Sequence, residues 1–400
     1  MNKIWRSRFP IFQHHPELVY LDNAATTQRV DSVIDAMQEF SISENASIHR
    51  GIYNLSNAAT NRFEDTRHKI AKFLNAKSGE NIGFTKGSTE SINVVAKGYL
   101  ESRLSKDDNV VVSILEHHAN FLPWQDVCKK KGAELRILRL DGDGKLSPES
   151  LAELVDKRTR LVAVNHISNA LGRINPVTSL IAKCKKRNVP VLIDAAQSAA
   201  LHSIDVEKMG CDFLVFSGHK MFGPMGTGVL YVGDNYREEV EPLVVGGGMI
   251  ESVSESVSTY RPFPFNLDAG TPNVQGVLGL GAAVDFLTQL DKDAARLHVA
   301  RLTSKFTQGV KSIAEIKLVP LFDEESGIVS FNVNGIHAHD VAGFLNRDNI
   351  AIRAGMHCTQ PLLDELNLDA TARVSFSIYN EEEEVDRLIS SLQKLVDFWK

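Results

Sequence analysis

The sequence predicts an α/β protein: a mostly parallel sheet with helices on both faces. Two observations carry this. Six short runs rich in Val, Ile and Leu lie between residues 110 and 232, and helical stretches separate several of them. Such near-continuous apolar runs belong to strands covered on both sides. The strand candidates are 110–115, 135–140, 161–167, 189–193, 213–216 and 228–232. A helix over 91–99 follows the loop Gly87-Ser88-Thr89-Glu90. Another opens at Ser147-Pro148-Glu149, an N-cap with proline at the first helical position. A third covers 177–187, and a long helical segment opens at Gly281-Ala282-Ala283-Val284. The last helix starts at Asn380, with Val385, Leu388, Ile389, Leu392 and Val396 at helical spacing. Glu381 to Glu384 suit the positive end of its macrodipole.

At 400 residues the chain exceeds one simple core and fits a large domain plus a smaller one. The 44 Lys and Arg against 50 Asp and Glu give a net charge of −6, so no basic field argues for nucleic acid or an anionic membrane. The first twenty residues carry no signal-like apolar stretch, and no uncharged run is long enough to span a bilayer; a cytoplasmic enzyme is expected. The four cysteines, at 128, 184, 211 and 358, form no CxxC and have no His at ligand spacing, so neither a disulfide framework nor a metal is expected. Cys128, Cys184 and Cys211 read as buried structural residues. Cys358 lies in a Gly-containing, Pro-terminated loop.

The residues that carry chemistry follow the strand candidates. Lys220 lies in Phe216-Ser217-Gly218-His219-Lys220-Met221-Phe222-Gly223-Pro224, and Asp194 precedes Ala195-Ala196-Gln197. Singly, a strand-end lysine is usually solvated and a strand-end Asp caps a helix. Together they supply what pyridoxal phosphate (PLP) requires: an amine for a Schiff base, an acid for the pyridine nitrogen and donors for a phosphate. Gly87 to Glu90, with free N–H groups at a helix start, suits that phosphate, although an ordinary N-cap looks the same. To shuttle a proton at neutral pH, the Lys220 amine must fall from about 10.4 through burial.

These motifs, with Tyr20-Leu21-Asp22-Asn23-Ala24-Ala25-Thr26-Thr27 and Arg353-Ala354-Gly355-Met356-His357-Cys358, resemble the class V aminotransferase group of PLP enzymes. Cys358 narrows the resemblance to the cysteine desulfurases, over nearly the whole chain from Tyr20 to Asn380. The resemblance implies a fold-type I enzyme with a seven-stranded-type central sheet and a smaller α+β domain. It places the large domain at 21–290 and the small one at 1–20 plus 291–400, carrying the Cys loop. It implies three catalytic residues, Lys220, Cys358 and His117, with His117 stacked on the cofactor ring. Asp194 and Gln197 would meet the ring; Ser88, Thr89, Ser217 and His219 the phosphate; and Asn169 the cofactor and substrate. Thr271, in Ala269-Gly270-Thr271-Pro272-Asn273, would reach the phosphate of a neighbouring subunit, which implies a homodimer. Arg373 would clamp the substrate carboxylate with a planar fork, and Arg353 and His49 would lie nearby.

The implied reaction converts L-cysteine to L-alanine through a Cys358 persulfide. Selenocysteine and cysteine sulfinate are further implied substrates. The sulfur would pass to a SufE-like acceptor for iron–sulfur cluster assembly. A free cysteine is only a few percent thiolate at neutral pH, and His357, Arg353 or the cofactor's field would raise that fraction. The short Cys358 segment resembles the type II branch. Met356 departs from the second His typical of its SUF-system members, and Thr359 from the usual Ala. A selenocysteine lyase or another class V lyase or transaminase is the nearest alternative, disfavoured by the loop thiol. A non-catalytic cluster-assembly scaffold is disfavoured by an intact Lys220, Asp194, His117 and Cys358. A nicotinamide site is disfavoured because Gly279-Leu280-Gly281 lacks a third glycine and a preceding strand.

Overall fold

The computed structural model describes residues 5–400. Seven strands form the main sheet: β1 (Ile82–Thr85), β2 (Asn109–Ser113), β3 (Glu134–Leu138), β4 (Thr159–Asn165), β5 (Val191–Asp194), β6 (Phe213–Ser217) and β7 (Gly228–Val232). Their spatial order is β1-β7-β6-β5-β4-β2-β3. All neighbours are parallel except that β7 runs antiparallel to β1 and β6. The period of two shows how the apolar runs are used. Val111, Val162, Val164, Ile193 and Leu214 enter one core, while Val110, Val112, Leu161, Leu192 and Val215 enter another on the opposite face. Each such side chain taken fully out of water contributes about 2 kcal/mol.

Four strands build a second, antiparallel sheet: β8 (Ile316–Leu318), β9 (Ile328–Val333), β10 (Arg353–Gly355) and β11 (Thr371–Ser375), ordered β8-β9-β11-β10. Its core joins Val329 and Phe331 to Val299, Leu302 and Phe306 of the helix Lys292–Gly309 and to Leu388 and Leu392 of Glu382–Trp399. The N-terminal arm serves both cores: Phe9 and Phe12 pack with the large sheet, Val19 and Leu21 with the small one. The expected cap at Ser147 forms, its Oγ accepting from the N–H groups of Glu149 and Ser150 at 3.2 and 3.3 Å. Among the terminal acids Glu384 does more than meet a dipole: it is buried, pairs with Arg6 at 2.9 Å and accepts from Asn380 Nδ2 at 2.9 Å. Among the described residues no helix is long and apolar enough to cross a membrane.

Candidate active site

The C-terminal ends of β2, β4, β5 and β6 deliver His117, Asn169, Asp194 and Ser217 to Lys220, where ligands sit in parallel α/β sheets. A cavity of about 210 Å³ there is lined by these residues, by Ala24, Ser88, Thr89, Ala196 and His219, and by Arg353, His357, Cys358 and Arg373 from the small sheet. Lysine and cysteine thus meet in one cavity from two separately built layers.

One end of it is a cluster of hydroxyls. Ser217 Oγ accepts from the Ser88 N–H at 2.8 Å and lies 2.9 Å from Ser88 Oγ. Close approach of β1 and β7 sets this up, since a Cβ on Gly228 would fall 2.4 Å from Gly87 Cα. The 218–220 turn is held from the N-terminal motif: Thr26 and Thr27 both donate their hydroxyls to the His219 carbonyl at 3.1 Å. Deeper in, Asp194 is buried and accepts from the Ala196 N–H at 2.9 Å. Burial raises the Asp194 carboxyl pKa, and the Lys220 charge opposes that rise. Burial lowers the Lys220 amine, against the pull of Asp194. Hydroxyl donors at one end and a buried acid in the floor suit a phosphate and a cationic ring nitrogen respectively.

At the small-sheet end, Arg353 and Arg373 stand directly opposite on β10 and β11, an unfavourable pairing of like charges. Asp22 offsets it, reaching Arg373 at 3.1 Å and Arg353 at 3.7 Å. Arg373 also donates to the Asn169 carbonyl at 2.7 Å, and burial lowers its pKa only to about 10, so it stays cationic at neutral pH. Arg373 Nε, Asn169 Oδ1 and His357 Nδ1 are buried without a partner. Three unspent polar atoms on lining residues mark a site built for a polar ligand.

His117 Nδ1 accepts from the Ala119 N–H at 3.0 Å, which leaves Nε2 to carry the ring proton. Burial first, then Lys220, pushes its pKa down to about 3, so the ring is neutral. Cys358 is half-buried, and both it and His357 adopt left-handed backbone, φ 57° and 51°. That conformation costs a non-glycine residue about 1–2 kcal/mol. The loop offsets the strain with bonds: Asn169 Nδ2 donates to the His357 carbonyl at 2.8 Å, and Thr359 donates N–H and Oγ1 to the Met356 carbonyl at 2.9 and 3.0 Å. The departure at Thr359 therefore adds a bond that Ala cannot make. Of the three sources offered for a larger Cys358 thiolate fraction, His357 is held neutral. Its ring is buried against Thr371, Nε2 lying 2.8 Å from Oγ1, and burial drives its pKa to about 3.

Three expected residues lie apart from the cavity lining. Gln197 donates its amide to the Ala24 carbonyl at 2.8 Å. His49 packs edge-on against Phe63 with Nε2 3.7 Å from Glu64. Thr271 is exposed and lines a separate cavity with Lys86, Asp268 and Asn273. Sequence reasoning missed Asp22, although its motif was quoted, and Glu116, next to His117. Glu116 is fully buried and its pKa is pushed up to about 8, burial outweighing its hydrogen bonds. Trp124 donates its indole N–H to Asn120 Oδ1 at 3.0 Å, which turns the Asn120 amide N–H toward Glu116 Oε2 at 2.6 Å. The Asn165 N–H meets Oε1 at 2.8 Å. Both oxygens face N–H donors, so above about pH 8, where the carboxylate is ionised, Glu116→Gln would set N–H against N–H. We expect that variant to lose about 1–3 kcal/mol, read as a lower urea midpoint; an unchanged midpoint would remove the network from the account.

Residues 19–388 match the family described as Aminotransferase class-V. A curated cysteine desulfurase from Enterobacter sp. (strain 638) is 43% identical over 394 residues, covering 98% of this chain and 97% of that protein. The solved cysteine desulfurase CsdA of Escherichia coli superposes with a TM-score of 0.93 at 35% identity, over 100% of this chain and 99% of the other. The apo cysteine desulfurase of Thermococcus onnurineus NA1 gives 0.93 at 36% identity, over 98% and 97%. Shared sequence across both layers, and a shared arrangement of the sheets that carry lysine and cysteine, lead to one conclusion: the chain belongs to the class V aminotransferase family, in its cysteine desulfurase group.

Proposed function

We propose that this protein is a PLP-dependent cysteine desulfurase of the type II branch, converting L-cysteine to L-alanine. The observation that carries the reading is that Lys220 and Cys358 line one cavity. Bound PLP supplies an electrophilic carbonyl for the amino group and a protonated ring that accepts electron density from Cα and Cβ. Asp194 would hold the ring nitrogen, Ser88, Thr89, Ser217 and His219 the phosphate, with His117 against the ring and Gln197 supporting it through Ala24. Arg373, braced by Asp22 and Asn169, takes the substrate carboxylate in a bidentate fork, with Arg353 at its approach. The Lys220 amine, already lowered by burial, accepts and returns the α-proton.

Cys358 then takes the sulfur. Its thiolate attacks the substrate sulfur, an S–S bond forms as the Cβ–S bond breaks, and the electron pair left at carbon is protonated to give alanine. The same site suits selenocysteine and cysteine sulfinate. Two further elements belong to the proposal: a homodimer in which Thr271 completes the partner's phosphate site, and a SufE-like acceptor that carries the sulfur toward iron–sulfur cluster assembly. The short strained loop has little reach, so the acceptor must come to it. Light scattering should give twice the chain mass. Added acceptor should raise kcat more than it lowers KM, because it clears the persulfide rather than aiding substrate binding. A fully active monomer, indifferent to any acceptor, would overturn both elements.

A further inference from the structure

We propose that His118 is a positioning residue for sulfur transfer: it fastens the helix that follows Cys358 to the strand end carrying His117, and so fixes where Cys358 stands. The inference rests on the reading of Cys358 as the sulfur-accepting group.

The first turn of the helix Gln360–Glu365 shows why an outside partner is needed. Helix starts leave their N–H groups without intrahelical acceptors. Here Pro361 has none to satisfy, and the N–H groups of Leu362 and Leu363 reach the Thr359 carbonyl at 3.0 and 3.2 Å. Gln360 is left over. An N-cap hydroxyl accepts from the second or third N–H of a helix rather than the first, and the Thr359 hydroxyl here donates to the Met356 carbonyl. The acceptor comes instead from far along the chain: His118 Nε2 takes the Gln360 N–H at 3.2 Å. This requires the neutral ring with its proton on Nδ1. The His118 N–H donates in the other direction, to the Cys358 carbonyl at 2.7 Å. One residue thus brackets the loop on both sides of Thr359, with the left-handed pair His357–Cys358 at one end.

Chain geometry makes this bracket more than a local clasp. His117 lines the cavity, and its neighbour holds the cysteine loop, so a single turn sets both groups against one another. That turn is anchored from behind by the bonds Glu116 makes to Asn120 and Asn165. The backbone bond to Cys358 is available to any residue at 118 except proline, so a change of side chain isolates what the ring contributes.

The test uses the holoenzyme with His118→Ala and His118→Gln, the second because its carbonyl oxygen restores an acceptor at similar reach. Three readouts are taken: the PLP absorption band, single-turnover alanine formation from L-cysteine, and iodoacetamide alkylation of Cys358 without substrate, followed by mass spectrometry. The band should be unchanged in both variants. In His118→Ala, alanine formation should fall about tenfold with KM nearly constant, and alkylation should quicken by about threefold or more as the loop loosens. His118→Gln should recover most of both effects. Wild-type behaviour of His118→Ala in both assays, a Gln variant no better than Ala, or loss of the band would each overturn the proposal. Alkylation does not depend on catalysis, so it reports on the clasp even if full activity in Cys358→Ala were to remove the persulfide reading.

Discussion

Replacing Lys220 with alanine should abolish the visible band of the PLP-loaded protein and lower L-cysteine turnover by roughly 10^4-fold. The argument starts from the surroundings of the amine. Lys220 follows β6 in a turn pinned by Thr26 and Thr27, and it shares the cavity floor with buried Asp194. Burial lowers its pKa, which favours the neutral nucleophilic amine over the ammonium. No other lysine is among the lining residues. In the wild-type protein, borohydride reduction followed by peptide mapping should fix the cofactor on Lys220. A label on a different lysine, or a visible band that survives Lys220→Ala unchanged, would overturn the assignment.

How far the sequence disclosed this molecule depends on the range of the interaction. β2 and β4 to β7 were legible because their side chains are mostly apolar on both faces, a signal contained within four to seven residues. The edge strand β3 was legible from Leu135, Ile137 and Leu138 despite Glu134 and Arg136. β1 was not: it is four residues long with Gly83 inside it. The helix expected to open at Gly281 begins at Val274, since glycines 276, 279 and 281 read as breakers. Their purpose is packing. A Cβ on Gly279 would fall 2.8 Å from Met37 Cγ, and one on Gly281 would fall 2.8 Å from Thr66 Oγ1, so glycine lets neighbouring helices approach. Lys220, Asp194 and Cys358 were legible because each has a short motif of its own. Asp22 and His118 were not, because their meaning lies in partners more than 200 residues away: Arg373 for one, Cys358 and Gln360 for the other. His357 was one of three sources offered for a larger thiolate fraction, and its motif does not reveal that burial, with Arg373 and Arg353 nearby, keeps the ring neutral against the opposing bond to Thr371.

Replacing Cys358 with alanine should leave the PLP band in place and lower alanine release from L-cysteine by at least about 10^3-fold. The two halves separate because the residues sit on different layers: Lys220 follows the large sheet, and Cys358 follows β10 of the small one. Alanine is the informative replacement. At φ 57° it carries the same left-handed strain as cysteine, so the loop keeps its geometry, whereas glycine would relax it. The carbonyl at position 358 still accepts from the His118 N–H, and Thr359 still holds Met356. What disappears is the sulfur nucleophile alone. Selenocysteine and cysteine sulfinate release their selenium and sulfur groups more readily without such attack, so alanine formation from them should survive in the variant. Measuring alanine from all three substrates in one preparation separates a lost nucleophile from a damaged site. Equal losses on all three would mean the substitution had disturbed the cavity, and full turnover of L-cysteine would sink the persulfide mechanism.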